Sequence, residues 1–339
     1  MRILKGLAIL LAGVVLAGGI YGWGAGWFYP CGPLDRLVSI SRCTVIAKFD
    51  DRIPQALLRE SDGDLLAVLR QDGRNPALPQ QLVELSLDGQ VRAEVELTGV
   101  PPEANWMAAA LSPDDGRIAA SLFDAMAQVL DRATGATVTE IPVRNAALVG
   151  FDGTDRVMIE RGIESTERPP EPAADIFSAL DGSAQGEMTN AATTALHSHG
   201  LTKALSADGK MLAQHVETRG DSGVVAVRLA DAAYPAWSGR LITAPLSSWL
   251  RHLLPELWFS PDGQYLAASF DSAPVWGKDT SALVVWDLGD SRVVVQIPTN
   301  EGEWDNLVWL DDRRLALSRF NLVTRKAEIA VIRYRMGGA

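Results

Sequence analysis

Two apolar patterns divide the chain. From Gly6 to Leu34 there is no charged residue, and Arg2, Lys5 and Asp35 bracket the run. Roughly 20 apolar residues cross a bilayer as a helix, so the pattern predicts one transmembrane helix within residues 1–30. Beyond it the apolar runs are short and are broken by clusters of Ser, Pro, Asp and Gly, the alternation expected of strands joined by tight turns. The recurring unit is an apolar strand, a turn, a second strand, a variable loop, then a third and a fourth strand. Its clearest copy is Leu257-Trp258-Phe259-Ser260-Pro261-Asp262-Gly263-Gln264-Tyr265-Leu266-Ala267, followed by Leu283-Val284-Val285-Trp286-Asp287-Leu288 and Val293-Val294-Val295-Gln296-Ile297.

Weaker copies open at Leu111-Ser112-Pro113-Asp114-Asp115, Leu205-Ser206-Ala207-Asp208-Gly209, Trp309-Leu310-Asp311-Asp312 and Ser61-Asp62-Gly63-Asp64. Asp62, Asp114, Asp152, Asp208, Asp262 and Asp312 mark six turns, separated by 52, 38, 56, 54 and 50 residues. Turn chemistry accounts for these residues without a metal: Pro presets the first corner, Asp caps it, and Gly accepts the left-handed second. The last unit, Asn306–Tyr334, supplies three strands, and Cys43–Phe49 has the pattern of the missing fourth. An N-terminal strand is therefore expected to complete the final unit and leave no free edge.

The Ser-Pro-Asp-Gly hairpin followed by a strand ending in Trp286-Asp287 resembles WD repeats, and it is similar to the exported propellers of the TolB type, which use the same turn. The resemblance covers about residues 43–335 and is strong in one unit. It implies an all-β β-propeller of six blades, with seven as the alternative, and carries fold rather than function. No Gly-His dipeptide precedes the repeats, so the side-chain network of standard WD blades does not carry over. The organisation expected is a cytoplasmic tip and membrane helix over 1–30, a stem over 31–42, and the propeller over 43–335.

Composition and charge then limit the setting. The 339 residues are 47% hydrophobic and 22% charged, with a formal net charge of -11, which excludes a phosphate-backbone partner and adhesion to anionic lipid. Membrane attachment must be hydrophobic. Arg2 and Lys5 place the N-terminus in the cytoplasm, so the body is expected outside it, in the periplasm of a bacterium with the helix in the inner membrane. Tyr21, Trp23, Trp27, Phe28 and Tyr29 follow the helix as an interfacial belt; a leader cleaved after Ala17 is the alternative. Gly18, Gly22 and Gly26 recur every fourth residue and form a groove for a second helix, unless they reflect only the frequency of glycine in membrane helices. The only cysteines, Cys31 and Cys43, are expected to form a structural disulfide in an oxidising compartment, with two reduced thiols as the alternative.

No catalytic constellation is read. Gly220-Asp221-Ser222-Gly223 imitates a serine nucleophile loop without a base and reads as a hairpin turn. His197 and His199 would share one face of a strand, and with His215 and His252 they complete the histidines; they read as surface groups. No metal and no cofactor is expected. The segment Ile163–Asp175, with Pro169, Pro170 and Pro172, reads as an extended solvated loop. Pro245–Pro255 reads as a short helix starting near Ser247, with Trp249, Leu250, Leu253 and Leu254 as an apolar face that packs on its own propeller or on a partner. The expected function is a non-enzymatic, membrane-anchored scaffold or accessory subunit, meeting an integral membrane protein through the helix and other proteins through the propeller loops. The alternative is a periplasmic hydrolase or small-ligand binder using a central channel.

Overall fold

Strands whose two faces are both buried must be apolar at successive positions rather than at alternate ones, and six sheets lie among the described residues, several with such strands at their centres and a more exposed strand outermost. A computed structural model describes residues 42–72, 78–144, 146, 148–160, 174–188, 199–201, 203–206, 211–219, 222–229, 240–245, 250–252, 256–274, 280–299, 304–321 and 325–333. All regular elements among these residues are β-strands. Sheet I contains β2 (Arg52–Arg59), β3 (Leu65–Gln71), β4 (Gln80–Leu85) and β5 (Val91–Leu97) in that order. Sheet II follows with β6 (Trp106–Leu111), β7 (Arg117–Leu122), β8 (Met126–Asp131) and β9 (Thr137–Arg144). Sheet III has β10 (Leu148–Phe151), β11 (Arg156–Glu160), β12 (Ala174–Ser178) and β13 (Ala184–Met188). Sheet IV has β15 (Lys203–Leu205), β16 (Met211–Arg219), β17 (Ser222–Leu229) and β18 (Arg240–Pro245).

Sheet V is built on β20 (Glu256–Phe259), β21 (Tyr265–Pro274), β22 (Thr280–Asp287) and β23 (Arg292–Thr299). Two short strands extend it. β14 (His199–Leu201) pairs with β20, and β19 (Leu250–His252) pairs with β21. Sheet VI takes β24 (Trp304–Asp311), β25 (Arg314–Asn321) and β26 (Lys326–Arg333), and its fourth strand is β1 (Arg42–Asp50). The expected closing strand is thus in place, antiparallel to β26 from Arg42 opposite Arg333 to Asp50 opposite Lys326.

Packing explains the apolar runs. On β3, Leu65, Ala67 and Leu69 join a core with Leu310, Ala316, Ala327 and Ile329 of sheet VI, whereas Leu66 and Val68 join Ile118, Ala120 and Leu122 of sheet II. On β21, Tyr265 and Ala267 face sheet VI, and Leu266, Ala268 and Phe270 face sheet IV. A period of two along one strand therefore sends alternate side chains to two different neighbours. Five such cores join III to II, II to I, I to VI, VI to V and V to IV. The first strands lie closest together, β2 against both β6 and β24, and β20 against both β15 and β24. The result is an all-β, propeller-like body.

The turn motif does the same work in three sheets. In sheet V the buried Ser260 hydroxyl accepts from the Tyr265 backbone N–H at 2.9 Å and donates to Asp262 at 2.6 Å, while Gly263 takes φ +69°. In sheet II, Ser112 accepts from Arg117 N–H at 2.8 Å and donates to Asp114 at 2.6 Å; in sheet IV, Ser206 accepts from Met211 N–H at 2.8 Å. Asp62, Asp114, Asp152, Asp262 and Asp312 lie in or at the first turn of their sheets, as the spacing predicts, and Asp208 lies outside the described residues. In the turn between the third and fourth strands of sheets I, II and III a glycine sets the seam. Gly89, Gly135 and Gly182 have positive φ, and a Cβ on each would stand 2.0, 2.1 and 2.4 Å from the carbonyl oxygens of Ile46, Glu96 and Glu140. Each carbonyl belongs to the outer strand of the preceding sheet, so only a residue without a side chain fits.

The short helix expected over 247–255 is a correction. Leu250–His252 form β19, paired with β21 from Leu250 opposite Pro274 to His252 opposite Ser272. β20 pairs only as far as Ser269 of β21, so the rest of that strand offers unpaired backbone groups, and pairing them outweighs a weak local helical pattern. Trp249, Leu253 and Leu254 lie outside the described residues, as does most of the Ile163–Asp175 loop, although its last two residues begin β12. No helix among the described residues is long and apolar enough to cross a membrane. The apolar segment, with Gly18, Gly22 and Gly26, lies outside them.

Candidate functional site

Ionised side chains cluster where the first turns of sheets I and II meet. The hairpin joining β2 to β3 runs Glu60-Ser61-Asp62-Gly63-Asp64 and, like the Asp152–Arg156 turn of sheet III, is one residue shorter than those of sheets II, IV and V: Glu60 N–H donates to Asp64 O at 2.9 Å, whereas Ser260 N–H reaches five residues on, to Tyr265 O. Glu60 consequently occupies the place of Ser112, Ser206 and Ser260, a carboxylate where those three turns carry a small hydroxyl. It is as deeply set as they are, with 4% of its surface exposed.

Four elements bring charges to it. Arg132, just past β8, reaches across the seam to Glu60 and to Glu84 of β4, the latter at 2.7 Å. Arg92 of β5 pairs with Asp64 and stands 3.9 Å from Asp62. Asp115, in the corresponding turn of sheet II, accepts from Ser61 N–H at 3.0 Å and from the Ser61 hydroxyl. Glu60, Asp64 and Glu84 each bring one oxygen within 4.8 Å of the others; the cations facing them are the two guanidinium groups. Burial pushes the Glu60 carboxyl up to about 7, with Arg132 opposing and Glu84, Asp62 and Asp115 reinforcing the shift. The cluster fastens two sheets together and leaves one of its carboxylates titrating near neutrality.

A second ionic group fastens the closing strand. Glu328 of β26, 2% exposed, lies opposite Lys48 of β1 and Arg319 of β25 in the strand register. Lys48 Nζ is 3.0 Å from one oxygen, and Arg319 Nε donates to the other at 2.8 Å. Burial alone would raise this carboxyl, but the two cations hold it below its ordinary value.

Among the described residues, those singled out in the sequence fall on different strands. Cys43 stands on β1, and Cys31 lies outside the described residues. Ser222 begins β17 opposite Arg219, in the hairpin expected of it. His199, His215 and His252 fall on β14, β16 and β19, and His197 lies outside the described residues. Glu60 was missed because the shorter turn hides its equivalence to the serines; a buried-turn position filled by an acid was the available signal. No protein-family model matches the chain, and no curated protein matches it.

Proposed function

We propose that the protein is a membrane-anchored scaffold or accessory subunit. In this reading its six sheets form the blades of a closed propeller outside the cytoplasm, and its N-terminal helix packs within a membrane complex. Supporting it is one observation: the strand that follows the apolar segment is the fourth strand of sheet VI. Anchor and body closure then share one stretch of backbone, which holds the propeller at a fixed distance from the membrane. Cys31 is the proposed partner of Cys43, tying the stem to that strand. Recognition is assigned to the helix groove at Gly18, Gly22 and Gly26 and to the segment around Trp249.

Co-purification of the full chain from gently solubilised membranes tests the reading. One stable integral membrane partner is expected, and Gly22→Leu, which fills the groove, should release it. Trp249→Ala should weaken association by removing an apolar anchor, whereas His197→Ala and Ser222→Ala should leave it unchanged. A monomer that retains a small molecule, or loss of biological activity in either polar variant alone, would replace the scaffold by an enzyme or ligand binder.

A further inference from the structure

The seam between sheets I and II contains a carboxylate with more negative than positive neighbours. Glu60 is 4% exposed, and its Oε2 has no hydrogen-bond partner among the described residues, while its Oε1 meets Arg132. That guanidinium is shared with Glu84. Arg92 is engaged by Asp64 and Asp62, and Arg59 directs its guanidinium to the Trp309 carbonyl. Asp115 adds a further negative charge from sheet II. A buried carboxylate oxygen without a donor is costly as an anion, and the cheapest remedy is a proton.

We propose that Glu60 is a proton-binding site in the seam between sheets I and II, so that the folded body takes up one proton there and tightens as the medium becomes mildly acidic. The proton comes from solvent and bonds to Oε2. The resulting hydroxyl can donate to a neighbouring carboxylate, because Glu60, Asp64 and Glu84 already approach within 4.8 Å. The direction follows from linkage. A carboxyl raised from 4.5 to about 7 in the folded chain binds a proton that the unfolded chain releases between those values, so stability grows as pH falls through that window and levels off below it. Glu328 works the other way and lower: its depressed carboxyl supports the fold above its ordinary value and is lost in stronger acid.

Thermal and urea unfolding of the detergent-solubilised full chain at pH 5, 6, 7 and 8, with Glu60→Gln alongside, isolates this group, since histidine contributions are common to both proteins. Between pH 8 and pH 5 the folded-to-unfolded ratio of the parent should rise roughly a hundredfold more than that of Glu60→Gln. If Glu60→Gln does not fold, Glu60→Ser, which restores the hydroxyl used by the other turns, serves in its place. Infrared difference spectra between pH 8 and pH 5.5 should contain a protonated-carboxyl band that the variant lacks. Equal pH dependence in parent and variant would overturn the proposal. So would a flat profile with stabilisation by millimolar calcium that Glu60→Gln abolishes, which would assign the cluster to a metal ion.

Discussion

Replacing Trp286 by Ala should destabilise the protein by about 3–5 kcal/mol. Trp286 is fully buried near the end of β22, and its ring meets Phe270 edge-on at 6.2 Å and 76°. Its indole N–H donates at 2.9 Å to the carbonyl of Thr243, on the outer strand of sheet IV. One side chain therefore fills the core of sheet V and bonds across the seam. Truncation loses the buried ring, opens a cavity and orphans a carbonyl, a large part of the ~5–15 kcal/mol that holds a domain folded. Trp286→Phe keeps most of the volume and should lose about 1–2 kcal/mol, chiefly for the missing donor. Denaturant unfolding measures both, and a loss below about 1 kcal/mol for the Ala variant would show that this seam is not packed as described.

Arg319→Met should cost about 3 kcal/mol, the lower end of the effect of leaving a buried charge without its partner. Glu328 would keep only Lys48, whose side chain is 53% exposed. The partner change distinguishes charge from packing. In Arg319→Met with Glu328→Met the uncompensated carboxylate is gone, so most of the stability should return. The same denaturant series reads the cycle. A double variant as unstable as the single one would mean that the Arg319 stem, not its charge, supports the closing strand.

Repeated local chemistry made much of this fold readable. Ser260-Pro261-Asp262-Gly263 and its relatives state a turn with a mechanism, and their hydroxyls and carboxylates make the bonds that mechanism requires. The missing strand of the last unit was legible because three strands near the C-terminus leave an edge that an apolar N-terminal run can cover. What escaped depends on neighbours remote in sequence. Leu250–His252 became a strand because β21 outruns β20, which no local pattern around residue 250 records. The closeness of Gly89, Gly135 and Gly182 to the carbonyls of the preceding sheet is likewise a property of the assembled seams. Glu60 falls just outside the Ser61–Asp64 turn pattern, and only the folded, shortened turn places it among the buried serines.

Amide hydrogen exchange on the full chain in detergent tests most directly whether the strand that follows the apolar N-terminal segment closes the body. Arg42–Asp50 pairs with Lys326–Arg333 along its whole length, so the β1 amides that face β26 should exchange as slowly as those of β26 itself, at the rate set by global opening. Rapid exchange of β1 at the rate of an unstructured tail, with β26 still protected, would contradict closure by this strand.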